Sequence, residues 1–237
     1  MNQITMYIPA PTAALEHAQQ ILGARGIHFT ADAADAEYLL YGAPTKPETM
    51  ADFTTGQTVI GGNLDFLNDS VQRIDLLKDP YYLSANAAIT AEAALGMILQ
   101  QLKCSIPKAK ILILGWGRIG KCLTHQLHHL NAEVSVYARR QDAQAMLRAL
   151  GYHPIEPAQL RKRLRQFHCI VNTAPAPILT AADMAQLRPD CFKLELSSGL
   201  YLPCSDTVHA RGLPGKCKPE ASGALIADTV LRHLGGG

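Results

Sequence analysis

From residue 106 onward, short apolar runs alternate with segments whose apolar residues recur at helical spacing. KILIL (110–114), EVSVY (133–137), CIVNT (169–173) and CFKLEL (191–196) read as strands. GRIGKCLTHQLHHL (117–130), QDAQAMLRAL (141–150), PAQLRKRLRQF (157–167) and TAADMAQL (180–187) read as helices between and around them. Such alternation predicts βαβ units and a parallel, doubly wound sheet. The first hundred residues repeat the pattern less regularly. TMYIPA (5–10), IHFT (27–30), EYLLYG (37–42) and TVIGG (58–62) read as strands, and PTAALEHAQQIL (11–22) as a helix stopped by Gly23. ITAEAALGMILQQLK (89–103) predicts a buried helix without a polar stripe, closed by Pro107. PEASGALIADTVLRHL (219–234) predicts a last helix with Pro219 in its first turn, returning to the N-terminal half. The expected architecture is therefore α/β, with two doubly wound domains and a cleft between them. A smaller substrate domain spans 1–104, joined by the C-terminal helix 219–237, and a second domain spans 105–218.

Composition narrows the function classes. With 237 residues, 48% hydrophobic and 18% charged, the chain can build one large or two small cores. A formal net charge of +2, with no basic stripe interleaved with aromatics, gives no expectation of nucleic acid. The basic run RKRLR (161–165) reads as a solvated helix face. No apolar run reaches the ~18 residues of a membrane span, and MNQITMYIPA lacks a signal-peptide layout, so a cytoplasmic protein without a membrane is expected. The six cysteines never fall as C-x-x-C and are read as reduced and structural. No metal is expected: there is no H-E-x-x-H, and His125, His128 and His129 share a helix with no carboxylate beside them.

The chemistry begins at Gly115-Trp116-Gly117-Arg118-Ile119-Gly120, which follows KILIL and opens a helix. In this context the spacing marks a Rossmann dinucleotide site. Gly115 permits the tight turn, Gly117 the approach of a pyrophosphate, and Gly120 close packing of helix on strand. An acid about 20 residues on commonly holds the adenosine ribose. Here Glu133 begins the second strand rather than ending it, and the strand's end carries Ala138, Arg139 and Arg140. Alanine in place of the acid removes repulsion toward a 2′-phosphate, and two guanidiniums supply donors for it. NADP is expected, with NAD the second choice; an arginine pair beyond a strand is also compatible with plain solvated charge. Asn172, Thr173, Ala174 and Pro175, leaving the fourth strand of this domain, suit either cofactor contacts or ordinary turn chemistry.

Four blocks together resemble the dipicolinate synthase A family, related to the two-domain D-2-hydroxyacid dehydrogenases. NAAITAEA (Asn86–Ala93) is similar to the family's N-A-x-x-T-A-E-G, and LGWGRIG (Leu114–Gly120) is followed by Ala138-Arg139-Arg140. IVNTAP (Ile170–Pro175) is the third block. GLPGKCKPEASG (Gly212–Gly223), similar to G-L-P-G-K-x-A-P-x-T-A-G, is the most specific. The resemblance runs from about residue 75 to the end. It implies an NAD(P)-dependent oxidoreductase acting on a small cyclic dicarboxylate, a dihydrodipicolinate-pathway intermediate, to give dipicolinate during bacterial sporulation. It also implies a flavoprotein partner, and a homo-oligomer is expected. Carried over by position, Asn86, Thr90 and Glu92 line a cleft, and Asn172, Thr173 and Pro175 flank the nicotinamide. Gly212, Leu213, Pro214, Gly215 and Lys216 form the opposite rim.

The residues alone leave alternatives. Lys216 reads as a carboxylate anchor or as an exposed lysine on a turn. Glu92 reads as a first-turn residue after Thr90 as N-cap, or as an acid or base, and the capping reading is slightly favoured. His209 is a second candidate proton carrier. Ser197 and Ser198 stand near the expected substrate, within Glu195-Leu196-Ser197-Ser198, where the family has Asp-Leu-Ala-Ser and then Pro-Gly-Gly-Thr-Asp. Here GLYLPCSDTVHAR (199–211) replaces that stretch, which predicts a shortened or lost strand–helix unit; IGGN (60–63) is only an echo of the family's early Gly-Gly-Asp-x-Arg. A catalytically degenerate NADP-binding protein or sensor is the alternative function. A 2-hydroxyacid reductase is a further one, though no Arg-Glu-His set follows the cofactor domain in the usual order.

Overall fold

A computed structural model describes residues 3–54 and 56–235; positions 1–2 and 236–237 of the expected domain limits lie outside the described residues. The chain separates into two compact units, Met1–Ile89 with Pro214–Gly237, and Thr90–Leu213.

The first unit contains β1 (Thr5–Tyr7), α1 (Ala13–Ala24), β2 (His28–Phe29), β3 (Tyr38–Leu40), β4 (Thr58–Gly61) and β5 (Gln72–Asp75). The strands are all parallel, in the order β2-β1-β3-β4-β5. This is one of the two common doubly wound orders. Thr12 caps α1 by accepting from the Leu15 N–H at 3.3 Å, and Leu15, Ala18 and Leu22 then turn into a core with Met6, Leu40 and Ile60.

α2 (Pro80–Gln101) contributes to both units. It starts well before the expected residue 89. Asp79 sets that start: its carboxylate accepts from the Tyr82 N–H at 2.9 Å, and this bond leads the effects that hold it below the usual carboxylate range. Thr90 and Glu92 therefore lie inside the helix, and the expected capping role for them is overturned. By length and composition alone α2 could cross a membrane, its most apolar window having a mean hydropathy of 1.3, although no such run was expected. Its apolar residues fill cores instead: Tyr82 in the first unit, and Ala91, Ala94 and Ile98 in the second.

The second unit continues with β6 (Lys110–Leu114), α3 (Arg118–His129), β7 (Glu133–Tyr137), α4 (Gln141–Ala149), β8 (His153–Ile155) and α5 (Pro157–Leu160). β9 (Cys169–Asn172), α6 (Ala181–Met184), β10 (Phe192–Glu195) and β11 (Val208–His209) follow. The sheet is parallel throughout, in the order β11-β10-β9-β6-β7-β8. In sequence terms this is the dinucleotide-binding order 3-2-1-4-5-6 viewed from the other edge. Two expected helices are shorter than their patterns. The 157–167 segment tightens into 3-10 geometry after Leu160, and α6 ends at Met184 despite a capping box between Thr180 and Asp183. Between β10 and β11 no helix is present among the described residues, as the shortened segment predicted.

α7 (Leu213–Cys217) is a short helix where a glycine-proline turn was expected, and α8 (Pro219–His233) packs on α1. The approach is close at Gly223, where an added Cβ would lie 2.4 Å from the Ala14 carbonyl oxygen. Glycine is needed there for packing rather than for backbone conformation.

Candidate functional site

In a doubly wound sheet, ligands bind beyond the carboxyl ends of the strands where the strand order reverses. In the second unit that point lies between β6 and β9, and the sequence places Gly115 and Thr173 there. Gly115 has φ +112°, a conformation strained for any L side chain, and an added Cβ would lie 2.6 Å from Thr173 Oγ1. Gly120 sits under the same turn: its Cβ would come within 2.3 Å of the Gly115 carbonyl oxygen. Gly117, by contrast, has nothing within 4 Å of where a Cβ would be. The three glycines thus do three different things: one turns the chain, one packs the helix, and one leaves the surface open. α3 starts at Arg118 without a side-chain cap, so the N–H groups of its first turn are available to an anion.

A cavity of about 760 Å³ opens on this turn. Gly115, Trp116 and Lys121 form one side; Ala138, Arg139, Arg140 and Asp142 form another; Ala174, Pro175 and Ile178 complete it. Trp116 is held edge-on to Tyr152, with ring centroids 5.8 Å apart, and Lys121 Nζ lies 5.9 Å from its centroid. Ala138 is buried where a ribose-binding acid commonly stands, while Arg139 and Arg140 are exposed. Among the described residues no hydrogen bond or ion pair engages the Arg139 guanidinium. Arg140 is engaged: its Nε and Nη2 donate to the two carboxylate oxygens of Asp142 at 2.9 and 2.5 Å. That pairing holds the Asp142 carboxyl below the usual range. Asp142 is an acid of this rim that the sequence reading passed over. A larger cavity, about 910 Å³, lies at the amino ends of β6, β7 and β8, away from the glycine turn.

No family model matches the chain. The dipicolinate synthase A protein of Bacillus subtilis (strain 168) is 25% identical over 157 residues, which is 63% of this chain and 53% of that protein. The chain is homologous to dipicolinate synthase A. The crystal structure of the Bacillus halodurans dipicolinate synthase A superposes with a TM-score of 0.82 at 20% identity, covering 98% of each chain. An L-alanine dehydrogenase superposes with a TM-score of 0.65 at 13% identity, over 97% of this chain and 89% of that one. These likenesses give the second unit a Rossmann fold and the whole chain the fold of two-domain dehydrogenases.

The site residues expected from the sequence fare differently in this structure. Arg118 and Ile119 open α3 beside the glycines, and Ala174 and Pro175 face the cavity. Asn172 does not. Its amide is buried, accepting from the Ala174 N–H at 3.2 Å and donating to the Ala174 carbonyl at 3.0 Å and to Glu195 at 2.8 Å. The Thr173 hydroxyl donates to the Leu114 carbonyl at 3.1 Å. For these two side chains the structure favours turn chemistry over cofactor contact.

The largest polar feature missed in the sequence is Glu195, 1% exposed at the end of β10. Besides Asn172, its carboxylate accepts from the Ser197 N–H and hydroxyl at 3.1 and 2.7 Å, and from the N–H groups of Tyr201 and Leu202 at 3.0 and 3.1 Å. A buried carboxylate is tolerated when so many donors converge on it. Its role is to fold the short segment after β10 back onto β9. Ser197 is therefore committed to the scaffold, while Ser198 is exposed and its carbonyl accepts from Arg211. Lys193 does similar work for the next turn: it is buried, and its ammonium donates to Asp206 at 2.7 Å and to the Cys191 carbonyl at 3.0 Å.

The remaining candidates lie elsewhere along the chain. Asn86 and Thr90 are one turn apart on α2, but Glu92, two residues on, is about 200° around the helix from Thr90. Asn86 and Thr90 therefore share one face of α2, and Glu92 lies on another. His209 lies on edge strand β11, opposite Glu195 in register, and is exposed. Gly212 precedes α7 with φ +66°; Leu213 and Pro214 are buried, and Gly215 and Lys216 are exposed on that helix.

Proposed function

We propose that this chain is an NADP-dependent oxidoreductase of the dipicolinate synthase A type, acting on a small cyclic dicarboxylate, with NAD the second-choice cofactor. The cavity on the glycine turn carries this reading: it joins an open helix N-terminus to a rim bearing Lys121, Arg139 and Arg140. When bound, a nicotinamide dinucleotide supplies the hydride chemistry. The first turn of α3 would hold the pyrophosphate, and Arg139 with the Ala174–Ile178 segment would line the rest of the cofactor's site. Lys216 is the candidate substrate-carboxylate anchor, and Glu92 and His209 the candidate proton carriers. The test follows nicotinamide absorbance with a dihydrodipicolinate-pathway intermediate, using the chain alone and then with a flavoprotein partner. The expected result is a substrate-dependent change that Lys216→Ala abolishes, with nucleotide affinity retained. No change under either condition rejects the enzymatic reading.

One observation favours a second reading, an NADP-binding protein or sensor without turnover. Glu195, Asn172 and Ser197, the buried polar groups nearest the carboxyl ends of β9 and β10, bond to one another. Nucleotide binding by calorimetry, without turnover on any dicarboxylate tried, is its signature.

A further inference from the structure

The rim of the dinucleotide cavity holds an asymmetry between its two arginines. Arg139 has no partner among the described residues. Arg140 presents its planar fork to Asp142, with both oxygens of one carboxylate engaged by Nε and Nη2. All three residues line the same cavity, and Asp142 sits in the first turn of α4. A 2′-phosphate is a dianion that wants the bidentate donors Arg140 already directs at Asp142. To reach them it must displace a carboxylate and remain beside it. A ribose with a free 2′-hydroxyl meets no such repulsion, and a carboxylate accepts readily from a hydroxyl.

We infer that Asp142 sets the nucleotide preference of this site, by holding Arg140 away from the 2′-position and leaving Arg139 and Lys121 as the standing cations for a 2′-phosphate. This rests on the proposal that a nicotinamide dinucleotide binds on the Gly115 turn. The chain then binds NADP with less advantage over NAD than its arginine pair alone would give. Asp142 is a specificity-determining residue, and its removal sharpens the site toward NADP.

The experiment is a calorimetric comparison of NADP and NAD binding to the wild type, Asp142→Asn, Arg140→Ala and the double variant. Asp142→Asn should tighten NADP by about three- to ten-fold, with NAD unchanged or weaker. In the Arg140→Ala background the same substitution should give a smaller gain, because no guanidinium is released. An unchanged ratio of the two affinities in Asp142→Asn, or a shift toward NAD, overturns the inference. So does an equal gain with and without Arg140. If the folded wild type binds neither nucleotide, the dinucleotide reading itself fails; if it binds them and the ratio does not move, only the role of Asp142 fails. Both side chains are exposed, so the variants test binding rather than folding.

Discussion

Two stretches at the carboxyl ends of one parallel sheet treat their polar groups in opposite ways. On the rim formed after β6 and β7, charge is left accessible: Arg139 and Lys121 have no carboxylate partner among the described residues, and α3 begins without a side-chain cap. After β10 the polar groups turn inward, and Glu195 gathers donors from Asn172, Ser197, Tyr201 and Leu202. The first arrangement leaves its exposed charges to water and open to an anion, whereas the second is buried and complete as it stands. Unsatisfied polarity marks the binding surface, and satisfied polarity marks the scaffold. Asn172 joins the two, since its amide bonds both to Glu195 and to the Ala174 backbone beside the cavity.

The contrast can be broken most strongly at Glu195. Glu195→Ala leaves several buried donors without an acceptor and should lower stability by about 3–5 kcal/mol, read from the urea midpoint. Nucleotide affinity of the folded fraction should change far less than after a change at the glycine turn. A stable Glu195→Ala protein that has lost NADP binding would mean this carboxylate belongs to the ligand site. Gly120→Ala comes next. The added Cβ, 2.3 Å from the Gly115 carbonyl oxygen, must push α3 off β6, at about 1–3 kcal/mol, and NADP binding should fail with it. Retained binding would remove the reason for glycine at that position.

Arg139→Ala should leave thermal stability alone and weaken NADP about ten-fold relative to NAD. Equal losses for the two nucleotides would assign Arg139 to the shared part of the cofactor. A smaller effect lies at the opposite end of the same strands. His168 Nδ1 accepts from the Lys110 N–H at 2.9 Å, which requires a neutral acceptor nitrogen. Burial first, then the nearby Arg188, holds its pKa below the ordinary value of 6.5. Between that depressed value and 6.5 the unfolded chain binds more protons than the folded one, so stability falls as pH drops through this window. His168→Gln should flatten that part of the pH–stability curve, and NADP affinity should show no matching change.

Much of the fold was legible because buried strands leave apolar runs: KILIL and CIVN became β6 and β9, at the middle of their sheet. The strands that escaped, QRID, HPI and VH, are β5, β8 and β11, and each is an edge strand. Edges are short and half exposed and tolerate residues such as Pro154, so they leave little pattern. The start of α2 did leave a signal, Asp79-Pro80, a cap followed by a first-turn proline; the apolar stretch further on concealed it. Within the site, Gly115 and Gly120 were readable because each meets a local steric constraint, and Gly117 because its spacing completes the motif. Asp142 was missed because it lies one step beyond the strand, at the start of α4. The Glu195–Asn172 bond joins residues 23 apart in sequence and follows from strand pairing, which no local pattern encodes.

The central claim is that a nicotinamide dinucleotide binds on the Gly115 turn. The chain has one tryptophan, Trp116, and it lines that cavity. Titration with NADPH, followed by Trp116 fluorescence, tests the claim most directly. Saturable quenching with energy transfer to the reduced nicotinamide, competed by NADP and lost in Gly120→Ala, is the predicted result. Unchanged Trp116 emission up to millimolar NADPH and NADH, with calorimetry equally flat, would contradict it.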